Sequence, residues 1–114
     1  MSTYPDVKLF INGKWRDGVE GKTMPIIDPA TEEEIGRLAV ATRTDLDQAL
    51  DAAEKGFAVW RAVSAFDRYK IMRKAAELLR ERVDGIAWLM TREQGKPLGD
   101  SAGEILRGAD TIDW

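Results

Sequence analysis

The chain has 114 residues, 44% hydrophobic and 32% charged, with seventeen Lys and Arg against twenty Asp and Glu for a formal net charge of −3. That balance belongs to a soluble globular segment of at most one domain, and its interleaved charges leave no basic footprint for nucleic acid or an anionic membrane. With neither Cys nor His, the sequence offers no disulfide, no thiolate nucleophile, no imidazole base and no zinc site of the usual ligand types.

The opening "MSTYPDVKLF" lacks the basic start and apolar middle of a signal peptide. No apolar run approaches the ~20 residues needed to cross a bilayer, so the cytosol is the expected address. In "KLFINGKWRDG", Leu9 and Ile11 flank Phe10, and Asn12-Gly13 suits a tight hairpin turn before Trp15. Gly18 and Gly21 are read as loosening the connection to "TMPIIDPAT", where prolines bracket the strand-like Ile26 and Ile27. "EIGRLAV" then returns as another strand, with "DPATEE" as the turn between. Residues 8–41 are thus a predicted β-hairpin region.

From about residue 44 to 114 the period is helical. Leu46, Ala49, Leu50, Ala53, Phe57 and Trp60 line one face, with Thr44 as the expected N-cap and Asp45 and Asp47 in the first turn. Ser64 with Asp67 opens the strongest helical pattern, which runs through Tyr69, Met72, Ala76, Leu79 and Val83. Its outer face carries Arg73 and Glu77 at ion-pairing distance. Asp84-Gly85 marks a predicted bend, Gly95 a left-handed stop and Pro97 a restart. Leu98, Ala102, Ile105, Leu106, Ala109 and Ile112 keep helical spacing up to Trp114, as if the chain stopped inside an element.

The stretch "TREQGKPLGDSAGEI" tests badly as a phosphate site. A P-loop needs a glycine five residues before its Gly-Lys pair, and Met90, Arg16 and Lys8 stand there for the three Gly-Lys pairs. Gly95, Gly99 and Gly103 are four apart after a helix, which is packing spacing and not the dinucleotide fingerprint. Glu32, Glu33 and Glu34 fall in a predicted turn open to water, which reads as surface and not as a general-acid pair. Glu93 sits on the last turn of an apolar helix beside the corner, where partial burial and pairing with Lys96 or Arg92 are expected.

"FINGKW", "IIDPATEEEIG", "ATRTDLDQALDAAEKGFAVW", "DRYKIMRKAAELLRERVDGIAWLMTREQGKP" and the following "GEI" together resemble the N-terminal part of the aldehyde dehydrogenase superfamily. Within it they look most like the bacterial succinate-semialdehyde dehydrogenase branch. The resemblance implies an α/β parent of about 450 to 500 residues, of which residues 1–114 would be roughly the first quarter, an incomplete domain of β-hairpins and three or so helices. It further implies oxidation of an aldehyde to a carboxylic acid with NAD or NADP, in a homo-oligomer. The family's catalytic cysteine, glutamate base, oxyanion asparagine and cofactor-binding strands all come later, so the chain alone is expected to be inactive and to bind no cofactor. Its expected partner is the remainder of such a chain. A different reading is a truncated, non-catalytic module that assembles with a full-length paralogue.

One family feature falls inside the sequence. Several members bind a monovalent cation through the carbonyl before "NPA" and an acid before the "GK" pair, which match Ile27 in "IIDPA" and Glu93 in "REQGK". Here Asp28 stands where the family often has Asn, and Glu93 where some cation-binding members have Asp.

Overall fold

The computed structural model describes residues 4–114. Two antiparallel hairpins precede four helices, and the residues cluster into two compact units, one formed by the chain up to Ile27 with Glu33–Ala62 and the other by Asp28–Glu32 with Val63–Trp114.

In the first unit, β1 (Leu9–Ile11) pairs with β2 (Lys14–Arg16), placing Phe10 opposite Trp15. Asn12 and Gly13 carry φ of 51° and 75°, the paired positive angles whose twist matches that of the flanking strands. The cross-strand rings of Phe10 and Trp15 lie 4.8 Å apart on an exposed face. β3 (Thr23–Ile27) and β4 (Glu34–Ala39) form the second hairpin, with a bulge between Ile26 and Ile27. Val7 lies parallel to β4, its amide donating to the Arg37 carbonyl at 2.7 Å. That leaves β3 at an edge, where Pro25 is tolerated because no ladder donor is required of it.

α1 (Arg43–Trp60) follows, and its N-cap is Thr42. The structure therefore corrects the expected cap at Thr44 by two residues: Thr42 is the residue whose hydroxyl faces the Asp45 amide, closing a capping box with the Asp45 side chain. The role expected of Gly18 is corrected too. It is buried, and a Cβ placed there would come within 2.4 Å of the Val40 carbonyl oxygen, so it permits a close backbone crossing instead of loosening a connection.

In the second unit, α2 (Ala65–Glu81), α3 (Val83–Gln94) and α4 (Leu98–Asp113) pack with α4 against both of the others. The three or so helices expected over the chain are four, because the break falls at Arg82 and Asp84-Gly85 already lies in the first turn of α3. Ser64 caps α2 as expected, accepting from the Asp67 amide at 3.1 Å. Gly95 ends α3 in left-handed geometry with φ of 74°.

The core of this unit is built of small groups: Ala76, Ala87, Ser101, Ile105 and Ala109 are buried. Residues 101, 105 and 109 share one side of α4, since four-residue steps stack on a helix. The predicted face was wider, and Leu98 and Leu106 are in fact exposed. A helix touching two neighbours at once needs short side chains along the contact, so alanine and serine displace leucine from the line of closest approach. No helix among the described residues is long and apolar enough to cross a membrane.

Candidate functional site

Three polar constellations stand out, each inside one unit. The first centres on Asp45, which is fully buried. Its Oδ2 accepts from the Thr42 amide at 2.9 Å and the Thr42 hydroxyl at 2.8 Å, while Oδ1 accepts from Arg16 Nη1 at 2.7 Å. The Val19 amide reaches both oxygens at 3.2 Å. Donation from the Thr42 amide, then from Arg16, the Thr42 hydroxyl and Val19, outweighs desolvation and holds this carboxyl far below the usual carboxylate range. A group so stabilised as an anion cannot serve as a proton donor near neutral pH. Asp45 is a structural node joining β2, the loop at Val19 and the start of α1.

Beside it, a cleft of about 350 Å³ lies between the first hairpin and α1, with Lys14, Arg16, Gln48, Asp51 and Lys55 among its walls. Arg16 is committed to Asp45 and, through Nη2, to Gln48 Oε1 at 2.6 Å. The remaining charges, two lysines and one aspartate, form no nucleophile–base pair and no carboxylate pair.

The third constellation joins the 28–32 turn to the end of α3. Asp28 is buried; its Oδ1 accepts from the Ala30 amide at 2.9 Å and its carbonyl from the Glu32 amide at 2.8 Å. Asp28 Oδ2 lies 2.9 Å from Arg92 Nε. That nitrogen is buried without a directed hydrogen bond, so the contact is a charge pair and not an aligned N–H···O bond. A Cβ on Gly95 would meet Pro29 Cγ at 2.9 Å. On the α4 side, the Thr91 and Ser101 hydroxyls are 2.9 Å apart, and Lys96 pairs with Glu104, holding that carboxyl below its ordinary value.

Ile27 closes β3 and is exposed. Glu93 is exposed on the last turn of α3, which corrects the expectation of partial burial. Among the described residues, no group of three or more His, Cys, Asp or Glu is placed to hold a metal ion. Sequence reasoning missed both buried aspartates. For Asp45 the signal was present, because Thr42 and Asp45 have the spacing of a capping box; for Asp28 the Asp-Pro turn was visible but its partner sixty-odd positions on was not.

The two hairpins and four helices of the described residues are the frame in which these constellations sit. The aldehyde dehydrogenase family model matches residues 15–114, and the chain belongs to that family of oxidoreductases. Its structure is similar to that of an aldehyde dehydrogenase from Brucella melitensis biovar abortus 2308, at 36% identity and a TM-score of 0.93, over 96% of this chain and 23% of that one. A succinate-semialdehyde dehydrogenase from Burkholderia pseudomallei is 33% identical with a TM-score of 0.92, over 95% and 22% of the two chains. The NADP-dependent glyceraldehyde-3-phosphate dehydrogenase from Bacillus halodurans C-125, solved with NADP, is 26% identical with a TM-score of 0.92, over 95% and 23%. The chain thus spans less than a quarter of the length of these proteins.

Proposed function

We propose that these residues are the opening segment of an NAD(P)-dependent aldehyde dehydrogenase that oxidises succinic semialdehyde to the acid, working in the cytosol as a homo-oligomer. The family match over residues 15–114 carries this reading, and the 33% identity to a succinate-semialdehyde dehydrogenase favours that substrate over a phosphorylated one. The segment contributes scaffold. With no Cys anywhere in it, the thiolate that attacks the aldehyde comes from the remainder of such an enzyme. The apolar side of α1, where Phe57 is 63% and Leu50 59% exposed, is the surface that this remainder covers.

The test is a chimera in which the segment replaces its counterpart in the Burkholderia succinate-semialdehyde dehydrogenase, compared with the segment alone. Succinic semialdehyde should drive NAD(P)H formation by the chimera and none by the segment. A folded but inactive chimera, or turnover by the isolated segment, overturns the reading. By family position, the Ile27 carbonyl and the Glu93 carboxylate are proposed ligands of a monovalent cation. Glu93→Gln in the chimera should then reduce the dependence of its melting temperature on potassium or sodium, and an unchanged dependence removes that assignment.

A further inference from the structure

We propose that Asp28 and Arg92 form a matched pair that straps the 28–32 turn across the C-terminal end of α3, each being needed only because the other is present. Asp28 is 4% exposed, and a buried carboxylate without a counter-charge is strongly disfavoured. Its two oxygens have separate duties. Oδ1 accepts the Ala30 amide and shapes the turn, a task an asparagine oxygen performs equally well; Oδ2 faces Arg92 Nε at 2.9 Å.

Arg92 is held from its own helix as well. Its guanidinium carbon lies 5.8 Å from the centre of the Trp88 ring one turn back, and its place in the last turn suits a cation at the negative end of the helix dipole. Its buried Nε has no directed hydrogen bond, so Asp28 is what compensates it. Pro29 seats against Gly95, where a Cβ would intrude. One charge pair and one steric fit thus act on the strap, and loss of the charge pair should let the turn open locally while the α2–α4 packing persists.

The experiment is a double-mutant cycle in the 114-residue chain with Asp28→Asn, Arg92→Met and the two combined. Amide exchange is followed at Ala30 and Glu32 in the strap and at Ala109 in the core. Each single change should speed exchange at Ala30 and Glu32 by roughly tenfold without moving Ala109, and the combined variant should return close to the original rates, because the buried Asp28 carboxylate and the buried Nε of Arg92 are then removed together. Arg92→Lys, which keeps the charge, should recover part of the protection. Effects that multiply in the combined variant, an Arg92→Met chain with unchanged exchange at Ala30, or an unaltered chain with no protection there would each overturn the proposal.

Discussion

The two units reach a folded arrangement by opposite means. In the first, the fully buried side chain is an anion: Asp45 gathers donors from Arg16, Val19 and Thr42, while the apolar stripe of α1 remains exposed at Leu46, Leu50 and Phe57. In the second, the buried line is alanine, serine and isoleucine, set where α4 meets α2 and α3. Apart from the Asp28–Arg92 pair at the 28–32 turn, the charged contacts named there sit at the periphery, as in Arg80 with Asp110 at 2.6 Å and Asp113 at 2.8 Å. A directional polar node specifies one geometry and tolerates little change, whereas a small-residue seam is sensitive to added volume and indifferent to charge.

The most disruptive way to test that contrast is Asp45→Asn. The substitution keeps the shape but removes the charge and sets an NH₂ group among donors, leaving amides of Thr42 or Val19 without an acceptor. Loss of hydrogen-exchange protection at those amides, with the α2–α4 amides unchanged, is the expected result. The same node fixes a pH dependence. Because the folded-state pKa of Asp45 is lowered from the ordinary 3.8, its contribution is fully present above that value and is lost as pH falls towards the folded-state pKa. Acid titration should therefore release the first unit before the second.

Next in size is Ala109→Leu, which forces volume into the seam of α4, where Ala109 is fully buried. A loss of about 1–3 kcal/mol is expected from the denaturant midpoint, with the Asp45 node unaffected. The smallest effect belongs to Ser64→Ala. Removing the hydroxyl that accepts the Asp67 amide at 3.1 Å should cost about 1 kcal/mol and show as fraying of the first turn of α2. A larger loss than that of Ala109→Leu would mean that capping, and not packing, holds the second unit.

Both hairpins, the Ser64 cap and the Gly95 stop were legible because each is governed by residues within a few positions of one another. Asn12-Gly13 needs no distant partner to turn, and Gly95 needs none to end a helix. The α4 face was misread because amphipathic spacing ranks leucine above alanine, while the contact with two helices selects for short side chains at 101, 105 and 109. Likewise Gly18 looked like a flexible link, since nothing near it in sequence announces the Val40 carbonyl. Of the candidate positions, the Ile27 and Glu93 pairing came from family resemblance, whereas the Asp28–Arg92 pair spans a separation that no local pattern reveals.

The Asp45 node also sets a timetable. Arg16 and Asp45 are 29 residues apart, and closing a loop of that length costs roughly 3 kcal/mol in chain entropy before any bond is gained. At synthesis rates of about 5–20 residues per second, Arg16 leaves the peptidyl-transfer step some seconds ahead of its carboxylate. Anchoring of the first hairpin must wait for the start of α1, the Arg16 charge in water meanwhile, whereas each later helix can begin to wind as soon as its own turns exist.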